Sequence, residues 1–122
     1  MSGTKTRLRA GLKEQGKALA GARKPLALGH PVRWALIREI SFHGPLPVKE
    51  LALRLGVDRP ALSSHLPQLL ECGIVAVFPD PGGDARRRCI GLSESATRYQ
   101  NGHGLEVDFG ELVVRFGEKE NE

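Results

Sequence analysis

The sequence predicts an α+β fold, mainly α, in which helices come first and strands follow. Three observations carry that prediction. Apolar residues recur at i, i+3 and i+4 between Val32 and Leu70, the spacing of one helix face. A β-branched and aromatic run, Ile74 to Phe78, is separated from a second run, Arg86 to Leu92, by a cluster of Pro, Gly and Asp. Alternating apolar residues then return between Leu105 and Phe116.

The elements follow in order. Residues 1–24 mix Lys and Arg with Ala and Gly, and Leu8, Leu12 and Leu19 fall at roughly helical spacing. Gly11, Gly16 and Gly21 weaken a helix there. Two readings stay open for this tail: a disordered basic arm, or a helix ordered only by packing across a dimer interface. Pro31 opens the first firm helix, since the first turn does not need its N–H. Val32, Ala35, Leu36, Ile37 and Ile40 form its stripe, and Gly44 and Pro45 close it. Pro47 opens the next, with Val48, Leu51, Ala52 and Leu55 inward and Gly56 as the stop.

Asp58 is a good N-cap for the third helix, because its carboxylate can accept the unpaired N–H groups of the first turn. Leu62, Leu66, Leu69 and Leu70 face inward, and Gly73 ends the helix. At about 100° per residue, Pro60, Ser64, Pro67 and Gln68 lie opposite the leucines, with Ser63 and His65 on the flanks. Pro67 removes one helical hydrogen bond, which predicts a kink. The hairpin follows, its Gly/Pro tip (79–84) flanked by Arg86, Arg87 and Arg88. Together these elements read as a winged helix-turn-helix with a two-stranded wing and an additional C-terminal strand-like segment. After the wing, Ser93 is expected to cap a short helix through Tyr99. The apolar phase flips across Gly110, as a bulge or tight turn would cause.

Composition bounds the function. The chain has 122 residues, 40% hydrophobic and 26% charged, with a net charge of +4. No apolar run approaches the ~18 residues of a membrane span. The basic start lacks the apolar stretch of a secretory signal, so a cytoplasmic protein is expected. Its two cysteines, Cys72 and Cys89, are read as reduced. Residues 1–24 hold seven basic residues against Glu14, while 105–122 hold six acids against Arg115 and Lys119. A basic body favours a polyanionic partner through counterion release.

Residues 26–92, a little over half of the chain, resemble the ArsR-type winged-helix repressors. The resemblance rests on GHPVRWALIREI, then PVKELALRLGVDRPALSSHLPQLLECGIV, then a wing ending RRRCIGL. It implies a symmetric homodimer that binds double-stranded DNA operators, represses transcription and releases DNA when an inducer binds. Two features depart from it. The Cys-x-Cys metal pair of many members is replaced by Leu46, Pro47, Val48, Lys49 and Glu50. Beyond the wing only His103 offers a metal ligand, and the segment is strand-like where the family has a dimerising helix. The family's metal sites therefore do not carry over, and no cofactor is expected.

The expected base-reading set is Arg59, Ser63, Ser64, His65 and Gln68, because a helix fits the major groove and its first turns reach base edges. Arg86, Arg87 and Arg88 are expected to straddle the hairpin, so that alternate ones face the DNA backbone or minor groove, with Lys49 and Arg54 as weaker phosphate candidates. Each set also has a plainer reading as a solvated face. His30 reads as a local structural residue, His43 as a dipole partner at a helix end, and Trp34 as core or interface. Cys72 and Cys89 flank the wing, and a redox switch is the alternative to simple packing. No catalytic constellation is present in the sequence, so no enzyme is expected. The competing function is a winged helix used only for protein–protein contacts, which an apolar rather than Arg/Ser/His/Gln surface would favour.

Overall fold

A computed structural model describes residues 23–117. The leucines of the N-terminal tail, Leu8, Leu12 and Leu19, lie outside these residues, as does the acidic end from 118 onward. The described chain begins with a short helix α1 (Arg23–Leu28), followed by α2 (Pro31–His43), strand β1 (Leu46–Pro47), α3 (Val48–Leu55) and α4 (Arg59–Glu71). Five further strands complete it: β2 (Val75–Pro79), β3 (Arg88–Leu92), β4 (Thr97–Asn101), β5 (Gly104–Asp108) and β6 (Val113–Gly117).

Local chemistry sets the helix boundaries. The His30 side chain caps α2 through Nδ1, which accepts the Val32 N–H at 3.2 Å, with Pro31 in the first turn. Asp58 caps α4, its Oδ1 accepting the Ala61 N–H at 2.7 Å. Between α3 and α4, Gly56 takes φ +67 and the Val57 N–H bonds to the Ala52 carbonyl at 3.1 Å, which ends one helix and aims the chain into the next. Helix α4 continues through Pro67 to Glu71. The missing N–H removes one i→i−4 hydrogen bond without ending the helix.

Two antiparallel sheets follow. In the first, the order is β1-β3-β2, with Phe78 opposite Cys89 and Leu46 opposite Ile90. The wing hairpin is thus present, but β1 adds a third strand that the two-stranded expectation lacked. In the second, β4-β5-β6 form a meander in which Leu105 faces Phe116 and Val107 faces Val114. The chain turns at Gly110, φ +90, between β5 and β6, which accounts for the flipped apolar phase. The expected helix from Ser93 to Tyr99 is absent. Ser93 to Ala96 make a turn closed by the Ala96 N–H on the Ser93 carbonyl, and Thr97 onward is strand β4.

Both sheets share one core. Leu36, Ile37 and Ile40 of α2 pack with Leu51, Leu62, Leu69 and Ile74, and Leu105, Val107, Phe109, Val114 and Phe116 of the second sheet join the same cluster. Burial of this apolar surface is the dominant stabilising term. Trp34 remains 41% exposed but touches Phe116, ring centroids 5.0 Å apart. At the other end of that sheet, Lys24 Nζ bonds to the Phe109 carbonyl at 3.3 Å and meets Glu111 at 3.4 Å, which ties α1 to the β5–β6 turn. The inward stripe of α4 is narrower than its pattern implies. Leu62 and Leu69 are fully buried, Leu66 is half-buried and Leu70 is exposed.

Candidate nucleic-acid interface

Helix α4 turns its polar residues outward. Arg59, Pro60, Ser63, Ser64, Pro67 and Gln68 are all exposed. Ser64 donates its hydroxyl to the Ala61 carbonyl at 2.7 Å, leaving the oxygen's acceptor side outward. His65 departs from the expected set. It is half-buried, and its ring lies 4.3 Å from that of His30. Burial, with His30 and Arg33 nearby, holds its imidazole below the usual histidine range. His65 therefore joins α4 to the start of α2 and stands apart from the open face.

The wing and the helix-turn-helix meet in a cleft of about 520 Å³. Lys49 from the start of α3, Arg59 from the start of α4, and Arg86, Arg87 and Arg88 from the wing line it, together with Asp84. Residues far apart in sequence, from two helices and a hairpin, thus build one basic surface. Sequence reasoning identifies all five cations but not their shared cleft.

The arginines differ in their surroundings. Arg86 and Arg87 lie in the turn before β3, and Arg88 alone is on the strand, so the three do not simply alternate across a hairpin. Arg86 is 95% exposed, with Nε 3.7 Å from Asp84. Arg87 Nε lies 3.8 Å from Asp80 Oδ1. Arg54, expected on a phosphate from its charge alone, is otherwise engaged. Its guanidinium bonds to Glu39 and to Glu50, each at 3.0 Å, and these carboxylates hold its pKa above the ordinary value. His43 also approaches Glu39, at 3.5 Å.

The cysteines are both free. Cys72 donates weakly to the Leu69 carbonyl, at 3.6 Å, at the end of α4. Cys89 is buried within the first sheet, and burial pushes its thiol up, with Asp80 adding to the effect and Arg87 opposing it. A raised thiol holds little thiolate, which is the opposite of what a reactive switch needs. His103 sits in the exposed β4–β5 turn. Among the described residues, no three His, Cys, Asp or Glu side chains gather as a metal site, and no helix is long and apolar enough to cross a membrane.

Sequence reasoning misses four neighbours of this surface. Arg23 and Leu26 of α1 share a cleft of about 500 Å³ with Ser64, Pro67 and Gln68. The acids Asp80 and Asp84 read as ordinary turn formers, yet both stand against the wing arginines.

The comparisons with known proteins bear on the fold and the family. Residues 30–87, from the α2 cap to the wing arginines, match the model of the MarR family. Over 91 residues the chain is 36% identical to an HTH-type transcriptional regulator of Mycobacterium tuberculosis, Rv2034, covering 67% of this chain and 83% of that protein. The chain belongs with the HTH-type transcriptional regulators, and its residues 30–87 match the MarR-family model. Among solved structures, NolR from Sinorhizobium fredii superposes on this chain with a TM-score of 0.59 at 24% identity, over 68% of this chain and 79% of that one. The homodimeric winged helix-turn-helix DNA-binding domain Mb0332 from Mycobacterium bovis, described as a possible ArsR-family regulator, gives 0.56 at 19% identity, over 66% and 69%. The winged-helix expectation is met; the ArsR type is not specifically supported, the matched model being that of the MarR family.

Proposed function

We propose that this winged-helix regulator binds double-stranded DNA sequence-specifically, as a homodimer, and represses transcription without catalytic activity of its own. The observation that carries this reading is the single basic cleft of Lys49, Arg59, Arg86, Arg87 and Arg88 beside the open Ser63, Ser64 and Gln68 face. A recognition helix needs side chains that reach base edges, flanked by cations that fix its register on phosphates. In this reading α4 enters the major groove and the wing arginines lie on the adjacent backbone. Arg59 takes a guanine edge, Gln68 an adenine edge, and Ser63 and Ser64 set position.

The homodimeric state of the Mycobacterium bovis domain supports a dimer here, with two copies of α4 reading a palindromic site. That protein's description supports an ArsR-like arrangement as the finer type, here without metal ligands. The protein acts in the cytoplasm in this reading, and the ligand-bound structure of NadR supports a small-molecule inducer.

Selection of preferred duplexes from a random pool, followed by titration at several salt concentrations, tests the proposal. Arg59→Ala should cost about 1–3 kcal/mol and relax preference at one base pair per half-site. Arg88→Ala should weaken binding to every sequence alike and flatten the salt dependence. Equal binding of all duplexes by the unaltered protein would leave only phosphate contact. No binding to any duplex would favour a winged helix used for protein–protein contact.

A further inference from the structure

The wing turn is wrapped around one carboxylate. The Asp80 side chain is only 10% exposed, although it belongs to an open tip. Its Oδ2 accepts the Asp84 N–H at 3.3 Å, its backbone carbonyl accepts the Gly83 N–H at 3.0 Å, and its Oδ1 faces Arg87 Nε at 3.8 Å. The turn packs so closely that a Cβ on Gly82 would stand 2.9 Å from Asp80 Oδ2. Asp84 continues the arrangement, its Oδ1 accepting the Arg86 N–H at 2.9 Å and its carbonyl accepting the Arg87 N–H at 3.1 Å. Of the two acids, Asp80 is the sheltered one, and it faces the guanidinium that lines the basic cleft.

We infer that Asp80 is a positioning residue of the wing, which holds Arg87 in the free protein and yields it to a phosphate when DNA binds. The inference rests on the DNA-binding reading above. A carboxylate and a phosphate oxygen compete for the same guanidinium donors, so the Asp80 pair subtracts from whatever Arg87 gains on DNA. At 3.8 Å, with Arg87 56% exposed, the pair is weak, which makes the exchange easy. Arg88, which has no such acid within ion-pair distance among the described residues, contributes its full phosphate contact. The acid thus tempers non-specific affinity while fixing the shape of the turn.

The test uses the full chain and a mixed-sequence duplex, titrated across a salt series. Asp80→Asn keeps an oxygen for the Asp84 N–H and removes the charge. By sparing the cost of breaking the Asp80–Arg87 pair, it should tighten binding about two- to fivefold at low salt. In an Arg87→Gln background the same change should have no effect. A gain that persists in that background would mean simple repulsion between Asp80 and DNA and would overturn the inference, as would an unchanged affinity in the single variant. As a check independent of the turn's integrity, Arg87→Gln should weaken binding less than Arg88→Gln, and equal losses would also overturn it. If the unaltered protein binds no duplex, the DNA reading falls, and this inference with it.

Discussion

His65 of the recognition helix packs its ring against His30, the residue that caps α2, with centroids 4.3 Å apart. The contact joins the middle of α4 to the start of α2 through two titratable groups. Burial is the main cause of His65's lowered pKa, with His30 and Arg33 adding to it.

That shift has a sign. The unfolded chain binds a proton at His65 more readily than the folded one, so stability rises with pH. The contribution is complete above the ordinary histidine pKa of about 6.5 and is lost as pH falls through the lowered folded value. Thermal melts between neutral and mildly acidic pH should show Tm falling on acidification, and His65→Gln should reduce that fall. An identical pH profile for the variant would disprove the assignment.

Arg54 separates charge from function. Because Glu39 and Glu50 hold it, Arg54→Ala should leave the salt slope of DNA binding unchanged, whereas Lys49→Ala should lower it. Parallel salt titrations of the two variants decide the point, and a lowered slope for Arg54→Ala would count against the pairing.

Gly104 opens β5 with φ +141, and a Cβ there would collide with the Phe116 carbonyl oxygen. Gly104→Ala should destabilise the fold by about 1–3 kcal/mol from backbone strain alone, and by more through the clash. Urea denaturation measures the loss. The same substitution at Gly102, where a Cβ meets nothing within 4 Å, is the control and should be nearly neutral.

Phe116 is 3% exposed and its ring lies against Trp34, the one tryptophan of the chain. Phe116→Ala should cost about 3–5 kcal/mol. Trp34 fluorescence should shift to the red as its ring meets more water. Phe116→Leu should cost less and shift the emission less.

What is legible in the sequence is local. Pro31, Asp58 and Gly56 mark helix ends by chemistry confined to one turn, so the pattern places α2, α3 and α4 almost correctly. The Leu105–Phe116 alternation shows a strand pair because one face of it is buried. Strand β4 reads as a helix because all five of its residues are exposed, which leaves no period-two signal. Strand β1 is two residues held only by pairing with β3, and α1 is six residues fixed partly by Lys24 on the second sheet. No local pattern announces either.

The site divides in the same way. The cations and the polar face of α4 are legible as residue types at helical spacing and at a hairpin base. Their convergence is not, since Lys49, Arg59 and Arg88 meet only through tertiary packing. The pattern misplaces His65 because a helical wheel gives an angle and not a neighbour, and the neighbour is His30, 35 positions earlier.

Strand β1 runs directly into α3 with no residue between them, and it is hydrogen-bonded to β3 of the wing. The hairpin and the helix pair are therefore one rigid piece, stitched by main-chain bonds at Leu46 and Pro47. A signal that releases DNA from such a protein has little room to bend wing against helix within a subunit. It acts instead on how far apart, and at what tilt, two such pieces are carried.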